Sequence, residues 1–319
     1  MTICNSACID TQVDALNCGA CGHACQGGTC IAGACQTVTL ASSQGGVGEL
    51  AIDLTEAFWT SDSTVKKVAL TGGSVATLAA YNNSVTIRSI SVAGGVVVYS
   101  FGGSGFWEVA KVSSLVQSPT TLASIPDAIA GVVVAGSDAY WSSSVLKGGL
   151  NRVPLAGGTP SRVDNSVLGG LTADVNFVYY WNGNLGSTGV WKASLATGAT
   201  TFLASPQVAG QLRSITRAGS YVYWTDGSSN VHRVGTGGGG SGTLIASGQS
   251  SPTMIAADAT HVYWTNRGNG TVMRVAIAGG APQVFASGLS QPYGIAVDTV
   301  SVYWTELNSG DGRIVKLAK

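Results

Sequence analysis

Four aspartates occupy one position of a sequence pattern that repeats about every 40 residues: Asp53, Asp174, Asp258 and Asp298. Carboxylates gathered in a ring are typical ligands of a metal ion. In the other three repeats, however, the position holds Ala followed by Gly. An Asp bonded to its own turn and a Gly with positive φ are equivalent ways of closing a tight hairpin. The pattern therefore favours a turn over a metal site, and we predict neither a metal nor another cofactor.

A second repeated position carries a basic residue in six repeats, and Glu108 interrupts it in the remaining one. The basic residues are Lys67, Arg152, Lys192, Arg233, Arg274 and Lys316. Such a ring could bind an anion. Long side chains that lie between packed elements, with their charged ends at water or beside carboxylates, explain the same pattern. We predict the structural role, because these positions fall on strands away from the centre of the fold.

Function is expected where the repetition stops. Arg88, Arg213 and Tyr293 fall at matching positions just before the predicted inner strands, where most other repeats carry Gly, Ala or Thr. We predict that they bind a ligand together with other non-repeating residues, namely Tyr81, Trp181 and Glu306. The same loops contain Asn82, Phe101, Gln211, Asp226, Arg267 and Asp311.

Guanidinium groups and aromatic rings in these loops suit a carboxylate, a glycan or an acidic peptide. The alternative is that the same side chains are solvated loop tips with no ligand.

The repeat that positions these residues is marked by an aromatic side chain. It recurs at intervals of 40, 42, 39, 44, 40 and 40 residues, at Trp59, Tyr99, Trp141, Tyr180, Trp224, Trp264 and Trp304. A period near 40 with several short β-runs in each repeat is typical of a β-propeller, in which one repeat forms one blade. We therefore predict an all-β, seven-bladed β-propeller whose repeated aromatic rings pack between blades.

The two ends of the repeat region fit together. The last repeat ends at Lys319 after its third strand, and residues 37–43 resemble the fourth strands of other repeats, such as 200–205 and 282–287. We predict that residues 37–43 complete the seventh blade and pair an otherwise open strand edge. The predicted domains are a cysteine-rich disulfide module, residues 1–36, and a propeller, residues 37–319.

All seven cysteines lie within the first 35 residues: Cys4, Cys8, Cys18, Cys21, Cys25, Cys30 and Cys35. This density in so short a segment indicates structural disulfides and an oxidising compartment. A zinc site is the weaker alternative, because the segment has more cysteines than such a site needs. The odd number leaves two explanations open. Either an eighth cysteine preceded Met1 and was removed, or one thiol is free or bonded to another chain.

Charge and hydropathy exclude several classes of partner. The formal net charge is zero and charged residues make up 10% of the chain, whereas nucleic acids and anionic membranes require a basic surplus. No run of 18 apolar residues is present to form a transmembrane segment. Residues 1–4 lack the features of a signal peptide, so we interpret the chain as the mature or trimmed form of a secreted or cell-surface protein.

No catalytic set stands out. The three histidines, His23, His232 and His261, have no neighbours that suggest a catalytic triad, and no Gly-x-Ser-x-Gly motif occurs. Glu49 is the one acidic residue that enters an inner strand, and the sequence shows no partner for it. An enzyme is therefore the weaker interpretation.

Two resemblances support this organisation. Residues 295–298 (Ile-Ala-Val-Asp) and 302–305 (Val-Tyr-Trp-Thr) resemble the YWTD propellers of lipoprotein-receptor ectodomains and, more loosely, NHL-type bacterial propellers. YWTD propellers usually have six blades, so the resemblance does not carry over the receptors' ligand chemistry. Residues 4–35, with Asn-Cys-Gly-Ala-Cys-Gly at 17–22, resemble the stigma-specific type of cysteine-rich repeat. That likeness implies a small extracellular module, as found before propellers in secreted bacterial proteins, and no activity.

Three functions are then open. The leading hypothesis is a secreted bacterial binding or adhesion module that presents the propeller face to a glycan or an extracellular protein. The second is a subunit of an extracellular assembly, in which the cysteine-rich module links protomers into a homo-oligomer. The third is a lyase or hydrolase at the mouth of the channel.

Overall fold

The computed structural model describes residues 1–4, 7–143, 148–165, 167–183, 188–205, 212–307 and 310–319. Within these ranges the chain forms 32 β-strands and no helix. The first four are short and pair as two hairpins: β1 (Thr2–Cys4), β2 (Ala7–Ile9), β3 (Cys30–Ile31) and β4 (Ala34–Cys35). The next strand, β5 (Val38–Ala41), joins a sheet at the far end of the chain.

The remaining strands follow one another in antiparallel sheets of four, the blades. Blade one contains β6 (Val47–Ile52), β7 (Glu56–Ser61), β8 (Thr64–Ala69) and β9 (Ala76–Ala80). Blade two contains β10 (Thr86–Ala93), β11 (Val96–Gly103), β12 (Phe106–Ser113) and β13 (Thr120–Ile125). Blade three contains β14 (Ile129–Ala135), β15 (Asp138–Ser143), β16 (Leu150–Pro154) and β17 (Ser161–Asp164).

Blade four contains β18 (Val167–Ala173), β19 (Phe177–Asn182), β20 (Gly189–Ser194) and β21 (Thr200–Ala204). Blade five contains β22 (Leu212–Ala218), β23 (Tyr221–Asp226), β24 (Val231–Gly235) and β25 (Thr243–Ala246). Blade six contains β26 (Pro252–Ala257), β27 (His261–Asn266), β28 (Thr271–Ala276) and β29 (Gln283–Ala286). Blade seven contains β30 (Pro292–Val297), β31 (Ser301–Glu306) and β32 (Arg313–Ala318).

The ring closes as the sequence predicts. Strand β5 pairs with β32 as the fourth strand of blade seven, with Ala41 opposite Ile314 and Val38 opposite Lys316. The part of the chain that the structure describes therefore forms a seven-bladed β-propeller, which confirms the predicted fold class. Closure leaves no blade with an unpaired third strand, which protects the edge of the sheet.

The core lies between blades. Among the described residues, one apolar cluster sits at each of the seven interfaces between neighbouring blades. The repeated aromatic residue belongs to these clusters; Trp59, for example, packs with Tyr303 across the interface between blades one and seven. Trp264 and Trp304 have no solvent exposure. The predicted role as interblade packing residues is confirmed.

The repeated aspartates close turns. Asp298 Oδ1 accepts hydrogen bonds from the backbone N–H groups of Val300 (2.8 Å) and Ser301 (2.7 Å). Asp53, Asp174 and Asp258 make the same contacts two and three residues ahead. In the other three blades the turn contains Gly94, Gly136 or Gly219, with φ of 56°, 58° and 54°. Both devices therefore build one hairpin, as predicted.

The basic position on the third strands is structural, but one predicted member was wrong. In blade two, Lys111, not Glu108, lies opposite the residue that precedes the repeated aromatic, so the position is basic in all seven blades of the described chain. Four of the charged ends reach the next blade; Lys111 Nζ, for example, donates to the carbonyl of Leu155 (2.5 Å), and Lys316 Nζ to that of Leu70 (2.7 Å). Lys67 and Arg152 instead pair with carboxylates of their own blades, Glu56 (2.6 Å) and Asp138 (3.6 Å), so structural contacts explain the repetition.

Three disulfides hold the N-terminal segment: Cys4–Cys21, Cys18–Cys30 and Cys25–Cys35. Cys8 is exposed and has no disulfide partner among the described residues, so six of the seven cysteines predicted to form disulfides are paired. His23 joins the segment to the propeller, because its Nδ1 lies 2.6 Å from the carbonyl oxygen of Cys18 and its Nε2 2.7 Å from that of Lys319.

Candidate functional site

The inner strands β6, β10, β14, β18, β22, β26 and β30 surround the central channel, and their register defines equivalent residues. One residue of each inner strand lies opposite the repeated aromatic of the second strand. We call the residue two places before it the rim position: Gly48, Arg88, Ala130, Gly169, Arg213, Thr253 and Tyr293. We call the residue one place before it the wall position: Glu49, Ser89, Gly131, Gly170, Ser214, Met254 and Gly294.

Local backbone structure directs the rim side chains. The register of the inner strand shifts at the rim, so that Arg88 and Arg213 have no partner residue on the second strand. Such β-bulges re-aim a side chain relative to the regular alternation of a strand. The carbonyl of Tyr293 is fixed from the neighbouring blade, because Thr265 Oγ1 donates a hydrogen bond to it (2.7 Å). Thr225 holds the carbonyl of Thr253 in the same way (2.8 Å).

Three predicted residues come together at the mouth of the channel. A cavity of about 380 Å³, the mouth cavity, is lined by Arg88, Arg213, Tyr293 and Glu49, among others. A second cavity of about 300 Å³, the channel cavity, continues between the inner strands. Both are lined by Glu49, Gly170 and Arg213, so the two cavities adjoin.

The two arginines carry positive charge without a carboxylate partner. Arg88 and Arg213 are exposed, and neither forms an ion pair with any of the described residues. The guanidinium carbon of Arg88 lies 4.9 Å from the centre of the Trp107 ring, a cation–π contact that leaves its N–H groups available. A planar guanidinium with free N–H groups binds carboxylates in a bidentate manner.

Tyr293 completes the rim. Burial raises the pKa of its phenol, the carboxyl of Glu49 raises it further, and Arg267, Arg213 and Arg88 oppose the rise. The hydroxyl group is therefore protonated at neutral pH and can donate a hydrogen bond to a ligand.

Glu49 is the residue that sequence reasoning underestimated. It is partly buried at the wall, and its Oε2 accepts a hydrogen bond from the backbone N–H of Ile90 (3.2 Å). Burial raises the pKa of Glu49 to about 7, although hydrogen bonds from Ser89 and Ile90 oppose the rise. The expectation that it has no partner was wrong. Its partners lie on the next blade, which one repeat read in isolation does not show.

The other three predicted ligand residues have structural contacts. Tyr81 stacks on Phe101 with ring centres 4.2 Å apart, and its hydroxyl lies 2.7 Å from that of Tyr99. Trp181 is 5% exposed within the apolar cluster between blades four and five. Neither lines the mouth cavity.

Glu306 likewise serves the fold. It is 1% exposed, accepts a hydrogen bond from Trp304 Nε1 (2.8 Å) and pairs with Arg313 (2.6 Å). Among the weaker candidates, Asp226 is buried beside His232, Phe101 is buried, and Arg267 donates to Gln291. Asn82 and Asp311 are exposed, and Gln211 lies outside the described residues.

No known family model and no curated protein matches this sequence. Solved structures do match its fold. Virginiamycin B lyase from Staphylococcus aureus is 13% identical, with a TM-score of 0.73, over 89% of this chain and 98% of that chain. A chain of the nidogen/laminin complex is 14% identical, with a TM-score of 0.54, over 70% of this chain and 89% of that one. A chain of the mitotic checkpoint complex is 10% identical, with a TM-score of 0.63, over 88% and 93%.

At such low identity these similarities show the propeller fold and do not assign an activity. The fold is shared by proteins that bind other proteins, as the nidogen/laminin and checkpoint complexes illustrate. The three disulfides fit an oxidising, extracellular environment. Among the described residues, no helix is long and apolar enough to span a membrane.

Proposed function

We propose that the protein is a secreted, non-enzymatic binding module that presents the mouth of its propeller to a glycan or an extracellular protein. The observation that carries this proposal is the pair of exposed guanidinium groups of Arg88 and Arg213, which meet Tyr293 around one cavity and form no ion pair with any described residue. Exposed polar residues that depart from a repeat serve no purpose in the repeated packing, so a ligand is the favoured explanation.

We assign different roles to the two parts of the chain. Residues 37–319 form the binding domain, in the manner of YWTD-type propellers, and residues 1–36 form a disulfide module of the stigma-specific type. The module acts as a stalk or cap that His23 attaches to the end of the last blade.

A glycan array probed with the full chain tests the proposal. Arg213→Ala and Tyr293→Ala are expected to lose the bound glycans, because both side chains line the mouth cavity. Arg217→Ala is the matched control. Arg217 lies on the same strand, β22, but pairs with Asp174 at the opposite end (3.3 Å). Binding that survives both mouth substitutions contradicts the proposed site.

A second candidate, an assembly subunit, rests on the exposed thiol of Cys8. In an oxidising compartment such a thiol can link two chains. Non-reducing electrophoresis is then expected to show a species of twice the mass that disappears with reductant and in Cys8→Ser. A monomer under both conditions excludes this route to assembly.

A third candidate, a lyase or hydrolase, rests on Glu49, whose pKa of about 7 suits a general acid or base and whose side chain faces the cavity. Polysaccharides and lactones incubated with the protein would then be converted by the native chain and not by Glu49→Gln, as followed by chromatography. No conversion of any substrate class counts against catalysis at the mouth.

A further inference from the structure

The inner strands leave one edge facing the channel, and its N–H groups need hydrogen-bond acceptors. In several blades the acceptor is the wall side chain of the preceding blade. The contacts are Glu49 Oε2 with Ile90 N (3.2 Å), Ser89 Oγ with Val132 N (3.1 Å) and Ser214 Oγ with Ile255 N (3.3 Å).

Four wall residues provide no such acceptor: Gly131, Gly170, Met254 and Gly294. The Met254 side chain lines the channel itself, and a Cβ atom on Gly294 would lie 2.6 Å from the carbonyl oxygen of Gly48, so only the consecutive glycines Gly131 and Gly170 leave open space. A Cβ atom added to Gly131 would lie 3.5 Å from the backbone nitrogen of Leu171, and one added to Gly170 would lie 3.6 Å from that of Ile215. These two N–H groups therefore point at the space that a serine side chain fills elsewhere. Among the described residues, no side chain accepts a hydrogen bond from either of them.

This uncapped sector lies between the two rim arginines. Arg88 belongs to blade two and Arg213 to blade five, whereas the rim residues of blades three and four are Ala130 and Gly169. The sector is therefore open, flanked by positive charge and backed by backbone N–H groups. Gly170 and Arg213 line the mouth cavity as well as the channel cavity, so this sector borders the space that a ligand at the mouth would occupy.

We propose that this sector is a carboxylate-binding site, in which the N–H groups of Leu171 and Ile215 and the guanidinium of Arg213 hold the carboxylate of a sugar acid, while Arg88 attracts it from the opposite side. The inference rests on the proposed binding function and names its ligand class. Paired N–H donors and a nearby guanidinium form the arrangement that proteins use for oxyanions.

The rest of the cavity favours a sugar acid over an acidic peptide. Hydroxyl-bearing side chains line it, namely Ser89, Thr172, Ser214, Thr216 and Thr253. Such groups both donate and accept hydrogen bonds, which suits a ligand rich in hydroxyl groups. The ring of Tyr293 at the rim offers an apolar face for a sugar ring.

Glu49 makes this binding depend on pH. It faces Arg88 on β10, Arg213 on β22 and Tyr293 on β30, and Arg267 lies near Tyr293. With a pKa of about 7, its carboxyl group is neutral at pH 5.5 and ionised at pH 8.5. An ionised Glu49 repels a second carboxylate in the same cavity, so the site binds a sugar acid more tightly at the lower pH.

Titration calorimetry of the full chain with D-glucuronic acid at pH 5.5 tests the proposal, with D-glucose as the neutral control. Glucuronate is expected to bind and glucose to bind at least about tenfold more weakly, because glucose lacks the carboxylate. Gly170→Ser is expected to weaken glucuronate binding about tenfold by capping the N–H of Ile215 as Ser214 caps Ile255. Arg217→Ala is the control and is expected to leave glucuronate binding unchanged, because Arg217 lies on β22 but pairs with Asp174 at the turn end (3.3 Å).

The predicted pH dependence of binding is tested with Glu49→Gln. The native chain is expected to bind glucuronate several-fold more weakly at pH 8.5 than at pH 5.5, and the variant is expected to lose this difference. Equal binding of glucuronate and glucose overturns the carboxylate site, and so does unchanged glucuronate binding in Gly170→Ser. Binding of a triglutamate peptide without glucuronate overturns the assignment to a sugar.

Failure of this inference is distinguishable from failure of the proposed function. If glycans captured on the array are neutral and still depend on Arg213 and Tyr293, the mouth is a binding site but not a carboxylate site. If no captured glycan depends on either residue, the proposed function fails with it.

Discussion

The two ends of the inner strands contain different kinds of charge. At the turn end, Asp174 pairs with Arg217 (3.3 Å) and Asp258 with Lys319 (2.6 Å). At the mouth end, Arg88 and Arg213 have no ion pair with any described residue. The turn end repeats from blade to blade and its charges complete the fold, whereas the mouth end varies and its charges remain available. In this propeller, repetition therefore marks structure, and departures from it mark the candidate site.

The largest expected effect comes from a repeated core residue. Trp264→Ala is expected to lower the free energy of unfolding by about 3 to 5 kcal/mol, because the indole is fully buried between blades five and six. Urea titration followed by circular dichroism measures it. A loss below about 1 kcal/mol would contradict the role of the repeated aromatic in joining blades.

Stability is expected to respond to pH with opposite signs at the two ends. Burial raises the pKa of Glu49 to about 7, so the folded state holds its proton more tightly than the unfolded state. The contribution of Glu49 to the free energy of unfolding is complete below the ordinary pKa of 4.5 and is lost as pH rises through 7. The expected size of this effect is about 1 to 3 kcal/mol. Glu49→Gln is expected to remove this slope in urea midpoints measured between pH 5 and 8.

Asp258 is expected to behave in the reverse way. Burial opposes the shift, but the Lys319 ammonium and the turn N–H groups lower the pKa of Asp258 to about 2. The contribution of Asp258 to the free energy of unfolding is complete above the ordinary pKa of 3.8 and is lost as pH falls through 2. The expected size of this effect is about 1 to 2 kcal/mol. Asp258→Asn should remove most of the pH dependence of the urea midpoint between pH 2 and 5. If Glu49→Gln and Asp258→Asn alter the urea midpoints over the same pH range, the predicted contrast between the mouth end and the turn end of the inner strands is wrong.

The equivalence of the two turn types gives a smaller effect. Asp298→Ala is expected to cost about 1 to 2 kcal/mol, because two turn N–H groups and the hydroxyl of Tyr303 lose their acceptor. Adding Thr299→Gly creates the Ala-Gly pair of blades two, three and five and should recover part of the loss. Thermal melting of the single and double variants measures this. A double variant less stable than the single one would show that the devices are not interchangeable.

The smallest expected effect on stability is at the mouth. Arg213→Ala should change the free energy of unfolding by no more than about 0.5 kcal/mol, because the side chain is exposed and forms no ion pair with the described residues. The same urea titration measures it beside Lys111→Met, which removes the bond to the carbonyl of Leu155. A mouth substitution as costly as the Lys111 change would assign Arg213 a structural role.

Much of the fold could be predicted because the residues that determine each turn and strand lie within a single repeat. The turn at Asp298 depends on residues two and three places away, and the strands flanking it carry their own β-branched and aromatic residues. The register in blade two was misjudged because Glu108 and Lys111 lie three residues apart on one strand. Their pairing with β11 is what separates them.

The candidate site was predicted only in part. Arg88, Arg213 and Tyr293 were found because they depart from the repeat at one register. Trp181 and Glu306 also depart from it, yet Trp181 fills an apolar interface and Glu306 binds Trp304 and Arg313. Sequence alone does not distinguish a departure that faces solvent from one that compensates a neighbouring blade.

The sequence by itself determined the number of blades, the turns that join inner to second strands and the closure by β5, because a pattern repeated about every 40 residues marks all three. Only the tertiary structure decided that Glu49 joins Arg88, Arg213 and Tyr293 in one cavity and that Cys8 is the cysteine without a disulfide among the described residues. Closing the ring brings together residues that are distant along the chain. The contacts across that ring, unlike those within a hairpin, leave no periodic mark in the sequence.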